Sequence, residues 1–271
     1  MPLLPELSEG EATGTSAAIY ADLKHLGGVP MVALIFRHLA TRPGVLEWAW
    51  EAMGPAWRTG QLQESAWRIA RETHLGAVAA IPPAALPALG VDAAGHTAIR
   101  DVLVAYNRAN PENMLSVLCL LRLFDGARRS VPLAQRDWAP PAAPGPLLPM
   151  IDVEAMSTEM SALLDVVAAP GEPGGARVIQ SLYRHLAQRP AFLALAVTLL
   201  RQRFDDGSIA KSTASVVARM NAAADEIVRG LEAPPVPDAT VRPVLERFSG
   251  GVIPQMIVVG RLLDEALPSY S

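Results

Sequence analysis

The chain has 271 residues, of which 24 are Pro and 20 Gly, about 16% together, with 51% hydrophobic and 18% charged residues. This composition excludes a disordered or low-complexity chain and suffices for one large domain or two of ordinary size. Twenty-three basic residues against 27 acidic ones leave a net charge of -4, so no strongly basic face is expected, and the sequence points to no nucleic acid and no membrane as partner.

Cys119 is the single cysteine. It has no partner for an internal disulfide and cannot build a metal site alone, so a reducing, cytoplasmic location is expected. The N-terminal MPLLPELSEGE has no basic segment followed by a long apolar run, and so does not read as a secretory signal. The longest apolar stretch, Met114 to Leu121, covers eight residues and contains Ser116, far short of the roughly 20 that cross a bilayer.

In chain order, apolar residues at three- and four-residue spacing predict helices over Ala17 to Leu26, Met31 to Ala40, Val45 to Trp57, Leu62 to Ile81 and Thr97 to Tyr106. Pro30, Pro43, Pro82, Pro83, Pro111, Pro190 and Pro254 are expected between helices, where they start or stop them. Alternating β-branched runs joined by Asn-Gly or Asp-Gly are absent. The expected fold class is all-α.

An internal repeat sets the expected organisation. Arg37 to Pro43 reads RHLATRP and Arg184 to Pro190 reads RHLAQRP, 147 residues later. The same register pairs Leu46 with Leu193, Ala49 with Ala196, Gly60 with Gly207 and Ser65 with Ser212. Further on, the segment from Tyr106 to Pro111 faces Phe248 to Ile253 at a spacing of 142. Residues 1–126 are read as a first helical repeat, 127–150 as a Pro-rich linker and 151–271 as a second repeat. Ala139 to Pro149, APPAAPGPLLP, is expected to be extended. Two such copies imply a pseudo-twofold bundle, a pseudo-dimer in one chain, with a ligand pocket between them.

Chemistry-bearing patterns are few. Phosphate-binding glycine loops, zinc-protease pairs and the GxSxG elbow are missing, and the five histidines are scattered, so neither metal nor organic cofactor is expected. His38 and His185 occupy matching repeat positions and read as parts of a helix end with a polar stripe near the surface. Asp205-Asp206-Gly207 and Asp225-Glu226 are paired acids of a kind that can bind a cation or share a proton, but the first follows one helix and precedes another, so helix-cap chemistry and a structural role are expected. In YNRANPEN, from Tyr106 to Asn113, Asn110 before Pro111 reads as the cap of a helix starting at the proline. A buried asparagine there must otherwise satisfy its amide with a ligand or water.

These strings resemble the group I (DL-) 2-haloacid dehalogenases. The resemblance runs from about Ile19 to Leu267 and rests on Val29-Pro30, RHLATRPG, Trp50, AYNRANPENML and the second, degenerate copy. It implies an all-helical pseudo-dimer that hydrolyses short 2-haloalkanoic acids without metal or organic cofactor. An aspartate activates the water that displaces halide at C2, and an asparagine holds that water.

Carried over by position, the resemblance makes Asn110 the water-holding residue and keeps Ser181. The aspartate position falls on Leu182, which takes no proton. Aromatic positions of the pocket fall on Met31, Leu34 and Leu245, while Tyr183 stays aromatic. Glu172, beside Gly174-Gly175, is the candidate substitute base. Three functions stay open: a dehalogenase with a relocated base, an enzyme of different chemistry in specialised metabolism built around Asn110, Ser181 and Tyr183, or a non-catalytic protein that binds a small apolar carboxylate. A homodimer is compatible with each.

Overall fold

The apolar spacings close into helices throughout the computed structural model, which describes residues 5–168 and 179–269. No strand occurs among them. The helices are α1 (Gly14–Gly27), α2 (Leu34–Leu39), α3 (Val45–Arg58), α4 (Gln61–Glu72), a single turn α5 (Ala85–Ala88) and the long α6 (Ala93–Phe124). After a segment without helix come α7 (Thr158–Asp165), α8 (Ser181–Leu186), α9 (Pro190–Asp205), α10 (Ser208–Ile227), α11 (Val241–Gly250) and α12 (Ile253–Ala266).

Helix α6 is the axis of the molecule. Asp92 caps it, the carboxylate accepting from the Gly95 backbone N–H at 2.7 Å, which satisfies one of the four donors a helix start leaves open. Met114 to Leu120 are all buried, with Ser116 the one polar residue among them, as expected of a stretch of helix with no solvent face. Helices α12, α4, α10, α11 and α8 all pack against it.

Three local expectations are corrected. Pro111 does not end a helix: α6 runs through it, so Asn110 is not a cap. A mid-helix proline deletes one hydrogen bond and costs about 3 kcal/mol, and the deep burial of the flanking turns outweighs this. Helix α4 stops at Glu72 instead of reaching Ile81. Beyond Gly76, which adopts positive φ, the chain is drawn away, and the Ile81 N–H donates to the Ala266 carbonyl at the end of α12 (2.8 Å). Helix α2 begins at Leu34, leaving Met31 in the preceding loop.

Positions paired by the repeat have matching geometry. Helices α2 and α8 have six residues each and are entered from extended Ala33 and Gln180. Leu46 and Leu193 are fully buried. Gly60 and Gly207 both precede a helix with φ near +70° (68° and 73°), a conformation that favours glycine.

The Pro-rich segment carries no helix from Ala127 to Asp152 and is fastened along its course. The Ser130 and Val131 N–H groups donate to the Arg229 carbonyl. Trp138 lies against Gly60 and Trp67. Arg108 of α6 donates to the carbonyls of both Gly28 (2.7 Å) and Ala142 (2.8 Å).

Ion pairs also join the two parts of the chain, among them Arg42 with Asp238 (3.1 Å), Arg219 with Glu72 (2.5 Å) and Arg242 with Asp125 (3.0 Å). No helix among the described residues is long and apolar enough to cross a membrane.

Candidate functional site

The two polar strings singled out from sequence meet where α8 packs on α6. Tyr106 and Asn110 are four residues apart on α6, and Ser181 and His185 four apart on α8, so each pair shares one helix face. The Tyr106 ring lies 5.7 Å from the His185 ring at an interplanar angle of 59°, and Ser181 hydrogen-bonds to the Tyr106 side chain. Burial pushes the Tyr106 phenol far above its ordinary range, with Ser181 and the charges of Arg37 and Arg184 opposing only in part. It therefore stays a neutral donor.

His185 is buried, and its Nδ1 hydrogen-bonds to the Leu148 carbonyl at the end of the Pro-rich segment. His38 repeats the arrangement in the other half, its Nδ1 lying 2.7 Å from the Pro5 carbonyl. Both rings are buried instead of lying in the expected surface stripe, because each pins an extended segment to its helix. Burial lowers the His185 pKa, Arg184 adds to the effect, and the Leu148 contact opposes it.

Leu182 is fully buried in the apolar cluster, as are Tyr183 and Leu245. Leu245 reaches the core on α11, which packs on α6. The Tyr183 hydroxyl and both amide atoms of Gln180 are buried without a hydrogen-bond partner among the described residues. Asn110 is partly buried within α6. Met31 and Leu34 are half-buried, and the packing of α2 is chiefly against α3, not α8. Glu172 lies outside the described residues.

The sequence reading named neither Tyr106, Gln180 nor His185 as a site residue. Tyr106 lies inside the YNRANP string and one helical turn from Asn110, a spacing that marked it. Glu112 was missed as well. Two residues beyond Asn110 in a helix, it faces the opposite way, and its carboxyl lies against Gly27 of α1. Burial raises its pKa well above the usual range, opposed by Trp67 and the charge of Arg108. It is a neutral acid turned away from α8, and so no substitute base.

Among the described residues no cluster of His, Cys, Asp and Glu has metal-binding geometry. Burial pushes the Cys119 thiol up to about 12, which leaves it unreactive. Asp206 accepts from the Ser208 N–H at 2.8 Å, and Asp225 pairs with Arg122, so these acids serve structure.

No family model matches the chain. It is 34% identical over 172 residues to a configuration-inverting 2-haloacid dehalogenase of Alcaligenes xylosoxydans xylosoxydans. The alignment takes in 60% of this chain, which spans 58% of that relative's length. Among solved structures it resembles a D-2-haloacid dehalogenase mutant in complex with D-2-CPA, at a TM-score of 0.70 and 18% identity over 96% of this chain and 93% of the other. A D-2-haloacid dehalogenase in complex with L-LA superposes at 0.67 with 17% identity over the same shares. At these identities the structural likeness establishes the fold.

Proposed function

We propose that the chain is a member of the 2-haloacid dehalogenase family, that it binds a short 2-haloalkanoate, or a carboxylate of similar size and apolarity, between α6 and α8, and that it hydrolyses this ligand without a carboxylate base at position 182. The observation that supports this reading is the contact of Tyr106 with His185 where α6 packs on α8, with Asn110 one helical turn from Tyr106, Ser181 one turn from His185, and Leu182, Tyr183 and Leu245 buried. An apolar wall suits the haloalkyl group and excludes competing water, while the few polar groups orient the carboxylate and the attacking water. In the same reading the chain is two copies, 1–126 and 151–271, joined by the 127–150 strap. The paired geometry of α2 with α8, Leu46 with Leu193 and Gly60 with Gly207 supports it.

A second reading draws on Leu182 itself. With a fully buried leucine at the base position, a pocket that only holds its carboxylate is chemically complete.

Halide release from each enantiomer of 2-chloropropionate and 2-bromopropionate separates the two. Release that Asn110→Ala abolishes supports hydrolysis. A rise in melting temperature with 2-chloropropionate, without release, supports the binding protein. Neither effect rejects both.

A further inference from the structure

We infer that His185 takes the place of the missing carboxylate, its Nε2 accepting the proton of the water that attacks C2; this rests on the haloalkanoate reading above. The assignment starts from the backbone. The Leu148 carbonyl can only accept, so the neutral His185 ring carries its hydrogen on Nδ1, which leaves the lone pair on Nε2. An imidazole in that tautomer, fixed by a second-side hydrogen bond, is the arrangement a general base requires.

Position supports the same role. Ser181, Leu182 and His185 follow the spacing that places all three on one side of α8, so the imidazole stands one turn along from the residue where the family's carboxylate begins. Its ring rests against Tyr106, and Tyr106 is one turn from Asn110 on α6. The groups facing the imidazole are Arg184 on its own helix, neutral Tyr106 on α6 and the Leu148 carbonyl on the strap. None is an acid that would hold a proton on the ring, and burial beside Arg184 keeps it uncharged at neutral pH.

His38 is an internal control. It makes the same Nδ1 contact to a backbone carbonyl, but its Nε2 is sealed in the core without a partner. The backbone contact is thus a property of the scaffold, and the Tyr106 contact distinguishes His185.

In the step proposed, a water O–H bond breaks and its proton passes to Nε2. The water oxygen forms a C–O bond at C2 while the C–halogen bond breaks, and halide leaves with that electron pair. The products are the 2-hydroxyalkanoate, halide and an imidazolium that returns its proton to solvent.

The test compares wild type with His185→Asn, His185→Gln and His38→Asn, each checked for fold by circular dichroism. Asn keeps a donor for the carbonyl and removes the ring's lone pair. The rate of halide release from 2-bromopropionate is expected to fall about 100-fold or more in both His185 variants, with loss of the acid limb of the pH profile. His38→Asn should stay within about twofold of wild type. A His185→Asn enzyme that keeps both its rate and its acid limb overturns the inference.

Imidazole nitrogen NMR with 2-chloropropionate supplies a readout that needs no turnover. A bound carboxylate facing the ring raises the His185 titration midpoint, and binding that leaves this midpoint unmoved also overturns the inference. Absence of both binding and release defeats the haloalkanoate reading, and the inference with it.

Discussion

Under the two-copy reading proposed above, helix α6 corresponds to the pair α11–α12, and the two differ at their middle. In the first, the chain passes through Asn110-Pro111 as one helix. In the second, the helix stops at Gly250, Gly251 leaves helical geometry, and α12 restarts beside Pro254. A proline alone therefore does not break this helix. The break comes where two glycines precede the proline, because they add backbone freedom and no side chain to bury. The consequence lies at the proposed site: the unbroken α6 keeps Tyr106 and Asn110 in one helical register, with Tyr106 against His185 of α8.

The comparison breaks most readily at its shared core. Leu46→Ala and Leu193→Ala should each cost about 2–5 kcal/mol in urea unfolding; a loss near zero at either position would dissolve the correspondence between the copies. The next effect lies where α12 crosses α6. The Asn107 amide donates to the Gly260 carbonyl at 3.2 Å, and its oxygen occupies the space a Cβ on Gly260 would need. Gly260→Ala should cost about 1–3 kcal/mol, and adding Asn107→Ala should recover part of it.

Glu112 brings a pH dependence to the buried stretch of α6. Its folded pKa is raised, so the folded state holds a proton that the unfolded chain releases once pH passes its ordinary value. Stability falls with rising pH over that window, by at most about 1.4 kcal/mol per unit from this group. Glu112→Gln should match wild type in acid and gain on it steadily towards neutral pH; parallel stability curves would contradict a neutral buried acid.

The smallest effect tests the break itself. A Cβ on Gly250 meets nothing, whereas one on Gly251 meets the Arg247 backbone carbonyl at 2.6 Å. Gly250→Ala should therefore stabilise by about 0.5–1 kcal/mol, and Gly251→Ala should destabilise. Equal effects would show that the glycines do not set the break.

Much of this was readable from the chain alone. Leu46, Leu193, Ala49 and Ala196 announced their burial through spacing, and Gly60 and Gly207 their turns, because those signals are local. Asn110 and Ser181 were named, but the side chains that join them, Tyr106 and His185, were not. Their contact spans 79 positions of sequence, and no periodicity reports which faces of two distant helices meet. The rule for residues before proline is local too and predicts a cap at Asn110, while the packing that overrides it comes from α12, α4 and α10.

Local rules are enough for an all-helical chain, for helix ends where Gly and Pro mark them, and for the burial of Leu46, Ala49, Leu193 and Ala196, since three- and four-residue spacing and backbone sterics act within a few residues. Tertiary structure alone decided that α6 continues through Pro111, that Glu112 is held neutral, and that a backbone carbonyl fixes the His185 tautomer. Each of these depends on desolvation and on groups brought in from remote parts of the chain.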